Sequence, residues 1–102
     1  MPKEKINRSE AILREKRNTK RGLQLRNKIL LYLYKKKTDF SSTSTISDGI
    51  GIKQSIVLYH LNNLLNEKIV NKEMRGREAY WSITGLGQQT IKKWIAENQQ
   101  ED

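Results

Sequence analysis

The sequence of 102 residues contains no cysteine and only one proline, one histidine and one phenylalanine. Without cysteine the chain can form no disulfide, no thiolate zinc site and no cysteine nucleophile. No apolar run approaches the roughly 18 residues of a membrane span, and the N-terminus lacks the apolar segment of a signal peptide. We therefore expect a cytoplasmic protein that makes no contact with a membrane.

Catalytic signatures are also missing from the sequence. His60 is the sole histidine, and a catalytic or metal-binding histidine needs an orienting partner or a second ligand. The acidic residues are scattered, no glycine-rich phosphate loop follows a strand, and no serine nucleophile motif occurs. We expect no enzymatic activity, no metal site and no cofactor.

Hydrophobic residues make up only 35% of the chain, which predicts one small domain with a modest core. Small domains bury a lower fraction of their surface than large ones and are correspondingly marginal in stability. A core that is shared between two copies of the chain is therefore a reasonable expectation.

The net charge of +9 is concentrated near the N-terminus, because residues 1–28 hold ten Lys or Arg and three Glu. We predict a basic arm over residues 1–21, with Ser9 as a candidate N-cap for a short helix. Three interpretations of the arm stay open: a solvated tail, a set of phosphate contacts, or packing of Ile12 and Leu13 on a partner subunit. The residues assigned to phosphate contact are Arg14, Lys16, Arg17, Lys20 and Arg21.

The segment of residues 45–70 has the pattern of a helix, a tight turn and a second helix. Gly51 can supply the left-handed conformation of the turn. The apolar residues of the second helix recur at helical spacing, at Ile52, Ile56, Val57, Leu61, Leu64 and Leu65. The opposite face is polar, aromatic and uncharged, whereas a solvent-exposed helix face without a binding role is commonly a mixture of Glu and Lys.

A helix with such an outward face can read base edges in the major groove of DNA. We predict a recognition helix over about residues 53–67. Its predicted DNA contacts are Lys53, Gln54, Ser55, Leu58, Tyr59 and Asn62. His60, on the same helix, is interpreted as a packing residue or as a polar contact near the DNA backbone.

Two strands, at residues 69–74 and 78–83, are predicted to form a hairpin around Gly76, which can adopt the positive φ of a tight loop. Trp81 falls on the apolar face of the second strand and is interpreted as a core residue. The two arginines beside Gly76 could belong to a solvated loop. Arginine also suits phosphate contact and narrow minor grooves, so we interpret residues 74–78 as a DNA-contacting wing. The predicted wing contacts are Lys72, Arg75, Gly76 and Arg77.

A helix is predicted on each side of this unit. The first, at residues 23–37, has two apolar faces, which implies one contact with the recognition helix and another with a partner. The last is predicted to begin after an N-cap at Thr84 and to reach about residue 98. It must pack against the first helix, against a second subunit, or against both. Its predicted dimer interface consists of Leu86, Thr90, Ile91, Trp94 and Ile95. Packing of Trp94 on its own chain is the alternative.

An ordered set of short motifs runs through most of the chain. It consists of Gly51, Tyr59-His60-Leu61, Ile69-Val70, Arg75-Gly76-Arg77, Tyr80-Trp81-Ser82-Ile83-Thr84 and Gly87. This set resembles the winged helix-turn-helix of ArsR-like and MarR-like transcription regulators.

The resemblance implies a mainly α fold with a small β-hairpin, an α+β arrangement, which we place over residues 22–98. The polar residues 99–102 are expected to form a frayed tail. It also implies dimerisation through the last helix. Lys53 stands where the family often has Ser or Thr, and Leu58 stands where a small polar residue is common. Metal sensing through thiolate ligands, as in some ArsR-like sensors, requires cysteines that this sequence does not contain.

The leading hypothesis from the sequence is a homodimeric, sequence-specific double-stranded DNA-binding protein that regulates transcription. Its two recognition helices would enter successive major grooves about 34 Å apart. Two alternatives stay open. The neutral charge of residues 38–84 and the apolar Leu58 fit a winged helix that binds other proteins, whereas the charge of the arm fits a non-specific architectural DNA binder.

Overall fold

A computed structural model of the chain describes residues 19–37 and 39–99, so the predictions for residues 1–18 and 100–102 lie outside the described residues. Four helices and three strands follow one another in this part of the chain. They are α1 (Lys20–Lys35), β1 (Ser41–Ser42), α2 (Thr43–Ile50), α3 (Gln54–Asn66), β2 (Val70–Arg75), β3 (Glu78–Ile83) and α4 (Gly85–Gln99). The predicted α+β architecture of helices with a β-hairpin is confirmed.

Helix α1 begins three residues earlier than the periodicity predicted, because Thr19 caps it. The Thr19 hydroxyl accepts a hydrogen bond of 3.0 Å from the Gly22 amide, which satisfies a donor that the helix leaves unpaired. Lys20 and Arg21, predicted to lie in the arm, therefore form the first turn of α1. The helix ends at Lys35, and Lys37 already has a positive φ of 59°.

The helix-turn-helix consists of α2, a three-residue turn at residues 51–53, and α3. Ser42 caps α2, since its hydroxyl accepts a hydrogen bond of 3.2 Å from the Thr45 amide. Gly51 has φ of 70° and ends α2 in the left-handed conformation, as predicted. The Ser47 hydroxyl donates to the Ile52 carbonyl and closes the turn. These hydrogen bonds fix the angle at which α3 leaves α2.

The three strands form an antiparallel sheet in the order β1-β3-β2. In the hairpin, Val70 pairs with Ile83 and Arg75 pairs with Glu78, so the two-residue loop is residues 76–77. Gly76 has φ of 64°, as the tight loop requires. Strand β1 is the two-residue strand Ser41–Ser42, which pairs with β3 and adds an edge to the sheet.

The core lies where α1, α3, α4 and the sheet meet. Its buried residues are Ile29, Leu30, Leu33, Ile46, Val57, Leu61, Leu64, Ile69, Val70, Trp81, Ile83 and Ile91. Trp81 is fully buried, as predicted, and its Nε1 donates a hydrogen bond of 2.9 Å to the Thr43 hydroxyl. The indole therefore ties the hairpin to the start of α2.

One prediction about the apolar residues is wrong. Ile91, assigned to the dimer interface, is fully buried in the core of its own chain, because it lies one turn after Gly87 on the face of α4 that packs inward. Ile56, another apolar residue of α3, has 36% of its surface exposed. It lies about 100° around the helix from Val57 and faces away from the line that Val57, Leu61 and Leu64 follow.

Helix α4 is fixed to the rest of the fold at its first turn. The Thr84 hydroxyl accepts a hydrogen bond of 3.0 Å from the Gly87 amide, which is the predicted N-cap. The same hydroxyl lies 2.9 Å from the Ile69 carbonyl. Gly87 packs so closely that a Cβ at this position would lie 2.3 Å from that carbonyl oxygen. This close approach sets the start of α4 against the segment between α3 and β2, and α4 also packs on α1.

Candidate nucleic-acid interface

Helix α3 has one face in the core and one face in solvent. Val57, Leu61 and Leu64 form the buried face and hold the helix against α1. The side chains predicted to read DNA are all exposed, and they are Lys53, Gln54, Ser55, Leu58, Tyr59 and Asn62. Tyr59 is 59% exposed. The second helix of a helix-turn-helix thus presents a continuous solvent-accessible surface about three turns long.

Lys53 occupies the N-cap of α3 and makes no capping hydrogen bond with its side chain. Its ammonium group can only donate hydrogen bonds, so it cannot satisfy the free amides at the start of the helix. Those amides carry the positive end of the helix dipole. The start of α3 therefore offers an anion both the Lys53 charge and unpaired amide donors.

His60 belongs to the buried side of α3, so the structure favours the packing interpretation over contact with a DNA backbone. Its ring lies edge-on to Tyr59, with 5.2 Å between the ring centroids. Its Nδ1 has no hydrogen-bond partner among the described residues. Burial lowers the pKa of His60 below its ordinary value, and the nearby charge of Arg26 lowers it further. His60 therefore packs as a neutral side chain on the buried side of α3, in contact with the Tyr59 ring.

The wing holds Arg75 in a fixed position along the hairpin. Its Nε forms an ion pair of 2.7 Å with Glu73 Oε2. Its guanidinium carbon lies 4.4 Å from the centroid of the Tyr80 ring and 5.6 Å from that of Phe40. Arginine stacks well on aromatic faces. Arg75 therefore acts mainly as a brace for the wing.

Arg77 differs from its neighbours because it lies at the tip and is exposed. It makes no hydrogen bond or ion pair with another residue in the described part of the chain. Lys72, by contrast, lies over the Trp81 ring, with 5.5 Å from Nζ to the centroid. Of the three cationic residues predicted in the wing, Arg77 is the one whose side chain has neither an ion pair nor an aromatic contact among the described residues.

The sequence did not predict the contacts of the Arg75 guanidinium with the rings of Tyr80 and Phe40. Tyr80 lies opposite Glu73 in the hairpin, so strand pairing alone places the Tyr80 ring near Arg75. Phe40 reaches this cluster because β1 pairs with β3. That pairing joins segments about forty residues apart, and no local pattern in the sequence encodes it.

The predicted interface on α4 is only partly available to a partner. Leu86 is 47% exposed, and Thr90 and Trp94 follow it at intervals of four residues on the same face. Trp94 and Ile95 are partly buried against the core of their own chain. With Ile91 covered, the accessible stripe consists of Leu86, Thr90 and part of Trp94.

The described residues form neither a metal site nor a membrane-spanning helix. Among residues 19–37 and 39–99, no three His, Asp or Glu side chains come together in a way that could hold a metal ion. None of the described helices combines the length and apolar character needed to cross a membrane. The arrangement offers hydrogen-bond donors and acceptors, apolar contacts and positive charge.

Comparison with known proteins finds one family profile that matches part of the chain and several solved structures with the same fold. Residues 24–72 match the profile of the bacterial regulatory proteins of the arsR family. No protein with a curated description matches the sequence.

Several crystal structures share the fold. MepR, a transcription regulator of the Staphylococcus aureus multidrug efflux pump MepA, is 19% identical, with a TM-score of 0.66 over 72% of this chain and 56% of that chain. A complex of S. aureus MepR with DNA gives 17% identity and a TM-score of 0.66 over 76% of this chain and 66% of that chain. A variant of ZitR from Lactococcus lactis gives 18% identity and a TM-score of 0.66 over 87% of this chain and 62% of that chain.

The chain thus spans less than two thirds of the length of each of these proteins. The arsR profile covers α1 from residue 24 through the helix-turn-helix to residue 72 in β2. The shared fold extends the likeness to the wing and α4. The chain is therefore a winged helix-turn-helix protein that resembles the ArsR-like and MarR-like transcription regulators.

Proposed function

We propose that this protein is a homodimeric transcription regulator that binds specific sequences of double-stranded DNA. The observation that carries the proposal is the outward face of α3, which is exposed, uncharged and rich in groups that can pair with base edges. The MepR complex with DNA supports it, because that protein has a similar fold. The proposal assigns no metal, cofactor or catalytic step to the chain.

Each part of the surface has a separate role in this proposal. Gln54, Ser55, Tyr59 and Asn62 contact base edges, while Lys53 and the first amides of α3 approach a phosphate. Arg77 contacts the backbone or the minor groove beside the wing, and Arg75 and Gly76 set the shape of the tip. Contacts with bases specify the sequence, whereas contacts with phosphate fix the position of the protein.

The start of α1 and the arm supply further phosphate contacts in this proposal. Lys20 and Arg21 are exposed in the first turn of α1. Positive side chains are unfavourable at the positive end of a helix dipole, so a phosphate placed there would relieve their repulsion. Arg14, Lys16 and Arg17 are assigned to the same role on the basis of their charge. Each neutralised phosphate adds affinity that falls as salt rises.

Replacing Arg77 by alanine should weaken binding to all DNA sequences and reduce the slope of log K against log salt by about one unit. The exposed Lys92 of α4, replaced by alanine, removes the same charge at a distance from the wing and provides the control. Fluorescence anisotropy titrations at four salt concentrations measure the slope. If Arg77→Ala and Lys92→Ala have the same slope as the wild type, Arg77 does not contact phosphate.

A competition titration with the wild-type chain tests the proposed function itself. A duplex selected from a random pool should bind about a thousandfold or more tightly than random duplex at physiological salt. Equal, salt-dependent binding to both duplexes would identify a non-specific architectural protein. Absence of binding to either duplex at low salt would instead favour the protein-interaction module.

A further inference from the structure

The recognition surface of α3 lacks the side chains that most often read G·C base pairs. Residues 54–66 contain no Lys, Arg, Asp or Glu. Guanine is most commonly recognised by Arg or Lys through its O6 and N7 atoms, and the amino group of cytosine by Asp or Glu. Lys53 lies at the N-cap, before the first turn. The helical part of the surface therefore has no charged reader for guanine or cytosine.

The groups that are present match A·T base pairs. Gln54 and Asn62 are exposed, and a side-chain amide can donate to N7 and accept from N6 of adenine at the same time. Leu58 lies between them and is 39% exposed. The major-groove edge of thymine carries a C5 methyl group, with which an apolar side chain makes a favourable contact.

The spacing of these three residues places them in one row. Gln54, Leu58 and Asn62 are separated by four residues each, so their side chains follow one another along the same side of α3. The row is about 12 Å long at about 1.5 Å per residue. At about 3.4 Å per base pair, this length corresponds to three or four successive base pairs.

We infer that α3 reads an A·T-rich half-site, with Gln54 and Asn62 on adenine and Leu58 on a thymine methyl group. This inference rests on the proposed function, because it names the sequence class that the recognition helix selects. It also gives a role to an apolar side chain that would otherwise remain in water.

The wing favours the same class of sequence. A·T tracts have a narrow minor groove with a strong negative potential, which attracts arginine. Arg77 lies exposed at the tip, and the aromatic and ionic contacts of Arg75 hold the strand that leads to it. Both elements that approach the duplex therefore favour A·T base pairs, one through the major groove and one through the minor groove.

Selection of binding sites from a random duplex pool with the full chain tests the inference. Enrichment of A·T pairs over three or four adjacent positions in each half-site is the expected result. Enrichment of G·C pairs at those positions would overturn the inference and leave the proposed function standing. Enrichment of no sequence would overturn both, and would assign the exposed apolar residues of α3 to a protein partner.

A second experiment tests the role of Leu58 at the level of one methyl group. Replacing the critical thymine by deoxyuridine removes the C5 methyl and should weaken wild-type binding about fourfold, the factor expected for one buried methyl group. Leu58→Ala should bind the thymine site more weakly and should no longer distinguish it from the deoxyuridine site. Leu58→Met, which keeps an apolar side chain, should retain the distinction.

Asn66→Ala is the matched control, because Asn66 is exposed on α3 outside the proposed DNA contacts, and this variant should still distinguish thymine from deoxyuridine. Circular dichroism of each variant shows whether α3 is intact. If Leu58→Ala distinguishes the two duplexes as well as the wild type does, Leu58 is not the thymine reader.

Discussion

Replacing Leu86 by glutamate should convert a dimer of this protein into a monomer and reduce its affinity for a selected DNA site by about a thousandfold or more, to the level of non-specific binding. Leu86 is 47% exposed at the start of α4 and leads the stripe that continues through Thr90 and Trp94. A carboxylate in an apolar interface loses its hydration without gaining a partner. A monomer engages one half-site and loses the contribution of the second.

The fold should survive this change, since negative charge is favourable in the first turn of a helix. Gln89→Glu introduces the same charge at an exposed position of α4 outside the stripe and should remain dimeric. Sedimentation equilibrium gives the oligomeric state, and titration with the selected duplex gives the affinity. A Leu86→Glu protein that stays dimeric and binds tightly would move the interface to the arm or to α1.

Replacing Trp81 by alanine should cost about 3 to 5 kcal/mol of folding free energy. This loss approaches the whole stability of a small domain, which is commonly about 5 to 15 kcal/mol. Trp81 is fully buried, donates a hydrogen bond to Thr43, and has Lys72 Nζ 5.5 Å from its ring centroid. Its removal leaves a cavity between the hairpin and α2, and leaves the Thr43 hydroxyl without its donor.

Urea denaturation followed by circular dichroism measures this effect. Tyr59→Ala removes a large aromatic side chain from an exposed position on α3 and should change stability by less than about 0.5 kcal/mol. Thr43→Val isolates the hydrogen bond and should cost about 1 kcal/mol. Equal stability of Trp81→Ala and Tyr59→Ala would contradict the assignment of the indole as the link between the wing and the helix-turn-helix.

The elements of the fold could be predicted from the sequence where short-range chemistry decides them. Gly51 and Gly76 mark the two tight turns because both have positive φ. The apolar period of α3 correctly predicts the burial of Val57, Leu61 and Leu64. The helix starts at Lys20 and Thr43 were harder to predict, because single hydrogen bonds to Thr19 and Ser42 fix them among several candidate caps.

The spacing of apolar residues could not predict which distant segments of the chain contact each other. An apolar stripe on α4 shows that something covers it, but does not distinguish a partner from the chain's own core. Ile91 is covered by the core of its own chain, because Gly87 brings α4 close to Ile69. The contact between Arg75 and the Phe40 ring likewise depends on the pairing of β1 with β3. Exposure of Leu58 and Tyr59, by contrast, follows directly from their helical positions.

In the proposed function, the outward face of α3 reads base sequence. The most direct measurement compares the wild type with a double variant that carries Gln54→Ala and Asn62→Ala. Competition titrations at one salt concentration give the affinity of each protein for the selected duplex and for random duplex. The double variant should lose about 1 to 3 kcal/mol for each amide contact on the selected duplex and bind random duplex as the wild type does. Equal losses on both duplexes, or no loss on either, would contradict the claim.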